Sequence, residues 1–238
     1  MAKKQMNKEE KVYETFQTIS KDYDKLNDII SFNMHKRWKR DTIKELDVVE
    51  NSKMLDVCCG TGDFSLMLSL ERDKKIRVTG LDFSENMISV AREKKEKLKL
   101  DNVEFVHGNA MELPFKDNTF DHITIGFGLR NTPDYEQVIG EMMRVIRPGG
   151  KVACLDTSHP TLPIYKQLYW FYFKHIMPRI GQLFSKHRKE YQWLNDSTEK
   201  FLSKKELKDL FLKVGLTNVK VKSYAGGSSA LHIGVKPE

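Results

Sequence analysis

Met54-Leu55-Asp56-Val57-Cys58-Cys59-Gly60-Thr61-Gly62-Asp63 is the stretch that decides the fold. Met54, Leu55 and Val57 form a short apolar run of strand type, and Gly60 and Gly62 form a turn directly behind it. Phe64, Leu66, Met67, Leu68 and Leu70 then begin a helical apolar set. A strand that ends in a glycine elbow and opens a helix aims backbone N–H groups at one point, where a polar or anionic ligand group can dock. Side chains at the elbow would block the ligand, and glycine adopts positive φ at no steric cost.

The spacing around the elbow narrows the ligand. A dinucleotide site wants a third glycine three residues after Gly62, and Ser65 stands there. No G-x-x-x-x-G-K occurs, so a P-loop is absent. What remains is Asp56-x-x-x-Gly60-x-Gly62, followed by Ile76-Arg77-Val78-Thr79-Gly80-Leu81-Asp82, a second apolar strand that ends in a carboxylate. An acid at that strand end is placed to accept two ribose hydroxyl hydrogens. The pattern resembles the nucleoside-binding half of class I S-adenosylmethionine-dependent methyltransferases. Some other Rossmann-like nucleotide binder is the alternative at this point.

Outward from the elbow, strands and helices alternate. The first strand covers about 53–58 and its helix about 63–71. After Asp82, Ser84 reads as an N-cap for a helix that buries Met87, Ile88, Val90 and Ala91. Val103, Phe105 and Val106 read as a third strand, closed by Gly108-Asn109-Ala110. Phe120, Ile123 and Ile125 give a fourth. An amphipathic helix from Val138 to Ile146 is stopped by Pro148-Gly149-Gly150, and a fifth strand spans 151–156. Ser203-x-x-Glu206 is a capping box that opens a helix ended by Gly215. Two last strands, about 218–224 and 230–235, form a hairpin through Gly226-Gly227. The fold expected is therefore α/β and Rossmann-like: a mainly parallel seven-stranded sheet with a C-terminal antiparallel hairpin and helical lid elements. One domain over 1–238 is expected, divided into a lid at 1–50, a cofactor-binding half at 51–158, a helical insert at 159–202 and a closing part at 203–238. In such sheets ligands bind at the carboxyl ends of the strands. Gly60 to Asp63, Asp82, Asn109 and Ala110, Gly126 to Asn131, and Asp156 to His159 all fall there.

Val12, Phe16, Ile19 and Tyr23 read as one apolar stripe on a lid helix. Asn27, Asp28, Ser31 and Asn33 read as turn and capping residues, and Trp38, Ile43 and Leu46 as a second helix packed on the core. Residues 162–177 carry Tyr165, Tyr169, Trp170, Phe171, Tyr172 and Phe173, an insert that packs on the core, walls an apolar pocket or touches a membrane interface.

Composition excludes several classes. No apolar run approaches the ~20 residues that cross a bilayer, and Met1 to Glu14 has no signal-peptide core. Cys58, Cys59 and Cys154 form no C-x-x-C pair, so neither a disulfide framework nor a zinc site is expected, and a cytoplasmic setting fits. The net charge of +7 rests on short clusters such as His35-Lys36-Arg37-Trp38-Lys39-Arg40 and Lys186-His187-Arg188-Lys189. No nucleic-acid module accompanies them, so an anionic membrane surface or a plain basic exterior is expected rather than nucleic acid.

Three further stretches are more specific than the glycine elbow. They are Tyr23-Asp24-x-Leu26-Asn27-Asp28-x-x-Ser31-x-x-x-His35-x-x-Trp38, then Gly126-Phe127-Gly128-Leu129-Arg130-Asn131, then Arg144-Val145-Ile146-Arg147-Pro148-Gly149-Gly150 running on to Asp156-x-Ser158. Together they closely resemble the ubiquinone/menaquinone biosynthesis C-methyltransferases of the UbiE/MenG type, over about 13–235. Leu26, Asn33 and Asp156 depart from the family's usual Met, Gly and Glu. The resemblance implies S-adenosylmethionine as methyl donor, no metal, and a reduced polyprenyl quinone as acceptor. The menaquinone branch fits best, in which demethylmenaquinol becomes menaquinol. A class I methyltransferase for another small aromatic acceptor is the alternative. A lipid-tailed substrate is compatible with peripheral contact at the inner face of the cell membrane, and a homodimer is compatible with the family.

The chemistry assigns roles. An aromatic carbon is a weak nucleophile, and a phenol-like hydroxyl with a pKa of ~10 stays protonated at neutral pH. The site needs a base, a cation that stabilises the phenolate, or both. Arg130 is the candidate cation, Asn131 and Tyr23 can orient the hydroxyl or a water, and His159 is a candidate base. Arg130 pairing a carboxylate such as Asp134, and His159 bonding a loop carbonyl, are the competing structural roles. For the cofactor, Gly60, Thr61 and Gly62 are expected at the methionine and ribose side, Asp82 at the ribose, Asn109 and Ala110 at the adenine, and Asp56 at the amino-acid end through water. Asp82 capping the helix near Ser84 is the competing role there.

Overall fold

The computed structural model describes residues 8–20, 23–71, 75–161, 163–172 and 196–238. The chain opens with three helices, α1 (Lys8–Ile19), α2 (Tyr23–Ile30) and α3 (Met34–Leu46). Then follow β1 (Lys53–Val57), α4 (Asp63–Ser69), β2 (Arg77–Asp82), α5 (Glu85–Leu98) and β3 (Val103–His107). They lead into β4 (Phe120–Gly126), α6 (Tyr135–Val145), β5 (Ile146–Thr157) and α7 (Pro163–Phe171). The chain closes with α8 (Lys204–Lys213), β6 (Thr217–Tyr224) and β7 (Ser229–Val235).

All seven strands join one sheet in the order β3-β2-β1-β4-β5-β7-β6. The first five are parallel, and β7 runs antiparallel to both β5 and β6. The strand order reverses between β1 and β4, the switch point where an open α/β sheet leaves a crevice at its carboxyl ends. Alternation along β1 feeds both faces: Met54 enters the apolar cluster with Phe64, Leu68 and Ile88, and Leu55 and Val57 enter the one with Val138, Ile139 and Phe211. The last two strands form the expected antiparallel hairpin. β7 is inserted beside β5, and β6 takes the edge, where Lys220 and Lys222 stand exposed and discourage further pairing.

Three local expectations change. The stripe Val12–Tyr23 is broken: α1 ends at Ile19 and Tyr23 begins α2, although Phe16 and Tyr23 still meet edge to face at 5.8 Å. Asn27 and Asp28 lie inside α2, not in a turn. Pro148-Gly149-Gly150 does not end α6, which stops at Val145; the three residues belong to β5, where Gly149 N–H donates to the Lys236 carbonyl and Lys236 N–H to that of Gly150. Capping is as the sequence implies, with Ser84 accepting from Met87 N–H and the Ser203/Glu206 box complete. Of the aromatic insert, 173–177 lies outside the described residues, as do Leu26's side chain and the cluster 186–189.

Candidate active site

A cavity of about 800 Å³ opens at the carboxyl ends of the strands. Its wall includes Asp56, Gly60, Thr61, Asp82, Asn109, Ala110, Arg130 and Asn131 from the sheet side, and Tyr23 from the lid. Residues scattered over more than a hundred positions of sequence are brought together because the sheet-side ones lie at or just beyond the carboxyl ends of β1 to β4, and α2 brings Tyr23 against them.

The glycine elbow is built as its sequence demands. Gly60 and Gly62 take φ of +56° and +79°. A Cβ on Gly62 would stand 2.7 Å from the Phe105 ring, so this glycine lets α4 approach the sheet. A Cβ on Gly60 would have Tyr23 Cε1 at 3.9 Å as its near neighbour, so the floor at Gly60 faces the cavity and the lid.

Two buried carboxylates frame the elbow and do different work. Asp56 is held by two hydroxyls: Ser65 Oγ donates to Oδ2 at 2.7 Å and Thr124 Oγ1 to Oδ1 at 2.9 Å. Ser65, which replaces the third glycine of a dinucleotide motif, is therefore a buried donor to the strand acid. Asp82 accepts from two backbone N–H groups, Gly60 at Oδ2 and Ser84 at Oδ1, both at 2.9 Å. It does cap the approach to α5, and it also fixes the elbow. Burial pushes both carboxyls from 3.8 up to about 6, and donors at each offset only part of that rise. Neither has a cation in ion-pair contact among the described residues. Asp82 lines the cavity with lone pairs left over, so it fits a ligand that brings further hydroxyl donors.

At the far wall Ala110 is buried, and Asn109 is exposed with its Oδ1 accepting from Met111 N–H at 2.9 Å. That bond ties the Asn109 amide to the backbone two residues on. Thr61 turns toward the lid: its hydroxyl donates to Asp24 Oδ1 at 2.5 Å and accepts from Lys94 Nζ at 3.1 Å.

Thr61 belongs to a charged network that sequence reading missed. Lys94 bridges Asp24 of the lid and Asp63 at the start of α4. Lys39 Nζ reaches Asp63 Oδ2 at 3.3 Å, and His35 Nε2 lies 3.9 Å from the same oxygen. Burial and the Lys39 charge lower the His35 pKa to about 4, so the ring is neutral at neutral pH. The network ties α2 and α3 to the elbow. Its signal was present: His35, Lys39, Thr42 and Leu46 follow helical spacing, so a lysine sits on the buried stripe of α3. Asn33 occupies a left-handed position at φ 59°, which explains an asparagine where the family usually has glycine.

Arg130 is the centre of a second polar cluster on the cavity wall. Its Nη1 donates to Asp156 Oδ1 at 2.7 Å and to the Phe127 carbonyl at 2.5 Å, and its backbone N–H donates to Asp156 Oδ2 at 3.3 Å. Its carboxylate partner is thus Asp156 and not Asp134, which caps α6 by accepting from Gln137 N–H. Arg130 Nε is buried without a hydrogen-bond partner. Asn131 Nδ2 donates to the same Phe127 carbonyl at 3.4 Å. Tyr23 is raised above its ordinary pKa of 10 mainly by burial, with the Arg130 charge opposing. A phenol so placed keeps its proton and serves as a donor rather than a base. His159 is not brought to the site: its Nε2 bonds the Phe201 carbonyl at 2.9 Å, and the ring is not part of the cavity wall. Its position just past β5 had suggested otherwise, but the chain has already turned toward α7. Burial also pushes the Cys58 and Cys59 thiols well up, which leaves them protonated and unreactive. Among the described residues no group of His, Cys, Asp or Glu converges as a metal site.

Comparison with known proteins gives one family. Residues 4–236 match the ubiE/COQ5 methyltransferase family. A demethylmenaquinone methyltransferase of Shouchella clausii is 54% identical over 97% of this chain and 98% of its own length. One of Oceanobacillus iheyensis is 54% identical over 98% of each. The solved phosphoethanolamine N-methyltransferase 2 of Haemonchus contortus, in complex with S-adenosyl-L-methionine, superposes with a TM-score of 0.63 at 18% identity. That likeness covers 85% of this chain and 53% of the other, and it concerns the fold.

Proposed function

Given that the chain belongs to the ubiE/COQ5 methyltransferase family, we propose that it methylates a ring carbon of demethylmenaquinol, with S-adenosylmethionine as donor, to form menaquinol. The observation that carries the reading is the meeting, in one cavity, of an elbow built for a nucleoside with a lid-covered Arg130–Asn131–Tyr23 cluster. The naming of relatives 54% identical as demethylmenaquinone methyltransferases supports the branch.

The residues fit the donor. Gly60 and Thr61 would line its methionine and ribose side, with Gly62 setting the turn behind them, Asp82 would accept from the ribose hydroxyls, and Asn109 and Ala110 would meet the adenine. Asp56, with both oxygens occupied by Ser65 and Thr124, acts there by fixing the strand end and reaches the amino-acid part through water. S-adenosylmethionine, when bound, supplies an electrophilic methyl group. The chain's residues must therefore activate the acceptor. Arg130 places a permanent positive charge beside the quinol oxygen, which gives its proton to solvent water before the walls enclose the ring, and Asp156 holds the guanidinium still. Asp156 also tempers that charge, so the stabilisation is local. Tyr23 O–H and the Asn131 amide orient the oxygen by donating to it. The apolar walls, Phe16, Phe127 and Tyr172 among them, exclude water from the ring. A lipid-tailed acceptor also brings the protein to the inner face of the membrane as a peripheral visitor. Among the described residues no helix is long and apolar enough to cross a membrane.

A panel of acceptors tests the reading. At equal concentration, a short-chain demethylmenaquinol should gain one methyl group on its ring, while catechols and simple phenols turn over far more slowly. Turnover of a small phenol with none of the quinol would overturn it in favour of the other acceptor class.

A further inference from the structure

We infer that Phe32 and Met34 at the α2–α3 turn, with Phe171 at the end of α7, form a rim that docks the cavity mouth on an anionic lipid bilayer. The inference rests on the proposed function and names the surface from which the substrate is taken.

Phe32 lines the cavity and is nevertheless 70% exposed, so it stands at the mouth. Its backbone is left-handed, at φ 49°, a costly conformation for a bulky side chain, and Asn33 beside it is left-handed too. The turn is pinned by bonds from the Phe32, Asn33 and Met34 N–H groups to the Ile29, Asp28 and Ser31 carbonyls, so the exposed ring is carried on a fixed backbone. The Phe32 ring lies 6.3 Å from that of Tyr172, which also lines the cavity, so the α2–α3 turn and the end of α7 share one rim. Met34 and Phe171 are exposed as well, at 39% and 58%. Single exposed apolar residues need no explanation; two on the wall of one cavity, with a third next in sequence to the wall residue Tyr172, do.

Charge selects the occupant. The cluster 35–40 divides on α3: His35, Trp38 and Lys39 turn inward, while Arg37 and Arg40 are exposed. Neither arginine has a carboxylate in ion-pair contact among the described residues. Arg37 lies one helical turn from Met34, so a free cation flanks the apolar rim. Exposed aromatic side chains beside unpaired cations match the boundary between anionic headgroups and acyl chains. Elsewhere on the cavity wall the exposed aromatic ring is Tyr13, tilted against Phe83 at 5.7 Å, and the charged wall residue next to Phe83 in sequence is the acidic Glu85. A cavity of about 800 Å³ must take both a nucleoside and a fused aromatic ring. A polyprenyl tail then has to leave through the mouth, and the rim lets it stay in lipid while the ring enters.

The test floats the full chain with vesicles of phosphatidylglycerol and phosphatidylcholine in equal parts, and with vesicles of phosphatidylcholine alone. The unaltered protein should rise with the anionic vesicles and far less with the zwitterionic ones. Arg37→Glu and Phe171→Asp lie outside the cavity wall. Each should lower the bound fraction about tenfold and leave turnover of a short-chain quinol in detergent unchanged. Full binding by both variants would place the contact elsewhere and overturn the rim. Turnover of the short-chain quinol by a protein that floats with neither vesicle would overturn the docking surface alone. Vesicle binding without turnover of any quinol would instead sink the proposed function.

Discussion

Binding of the methyl donor should weaken about tenfold between pH 7 and pH 5, because Asp82 must be ionised to accept from the ribose hydroxyls. Asp82 is buried, its carboxyl raised from 3.8 to about 6, and the backbone N–H groups of Ser84, Gly60 and Phe83 that face it offset only part of the rise. In the unliganded fold a raised carboxyl contributes stability that is full below its unfolded value and is lost as pH climbs through its folded one. The window here runs from 3.8 to about 6, and the loss converts to about 3 kcal/mol. A ligand that donates two hydroxyls to the ionised form reverses part of that loss, and binding near neutrality proceeds without proton exchange. At pH 5 only about one molecule in ten is ionised, so binding must first expel a proton and the apparent affinity falls roughly tenfold. Calorimetry with S-adenosylhomocysteine, run in two buffers of different ionisation enthalpy, reads both the affinity and the proton release. Asp82→Asn should remove the pH dependence and weaken binding at every pH, since each charge-assisted hydrogen bond lost costs about 1.5–3 kcal/mol. An affinity flat from pH 5 to 7 would refute the reasoning. A pH dependence that survives in Asp82→Asn would move the titration to Asp56, which also lies at about 6.

Other outcomes follow from single contacts. Ser65→Ala strips a buried carboxylate oxygen of its donor and should cost about 1–3 kcal/mol in urea unfolding. Gly128→Ala would set a methyl 2.5 Å from the Cys58 Cβ, and the crowding should cost about 1–3 kcal/mol by the same measurement. Arg130→Met leaves Asp156 buried and unpaired, so thermal unfolding should fall by about 3–5 kcal/mol of stability along with activity. The double change Arg130→Met with Asp156→Leu should recover much of the stability and none of the turnover. His159→Gln should keep kcat and KM near those of the unaltered protein, because the ring bonds a loop carbonyl away from the cavity.

What sequence could and could not foretell follows from the range of each interaction. The elbow, the caps at Ser84 and Ser203 and the alternation of strands with helices are local, and they are written in neighbouring residues. The break between α1 and α2 was hidden because Ile19 and Tyr23 keep helical spacing across it; Phe16 meets Tyr23 whether or not the helix is continuous. Pro148-Gly149-Gly150 read as a stop because its ladder partner, Lys236, is nearly ninety residues away. The partner of Arg130 was hidden for the same reason: Asp134 is near in sequence, whereas Asp156 arrives through the register of β4 with β5. The lid network is the most informative omission. Each member is a common surface residue type, and only the docking of α2 and α3 on the elbow turns Asp24, Lys39, Asp63 and Lys94 into a tie.

The central claim is that this cavity methylates a ring carbon made nucleophilic by loss of a hydroxyl proton. The most direct measurement supplies S-adenosylmethionine labelled in its methyl group and a short-chain demethylmenaquinone, with and without a reductant. Label in the ring only when the acceptor is reduced is the result predicted here. No ring label under reducing conditions, from protein that binds the donor in calorimetry, would contradict the claim.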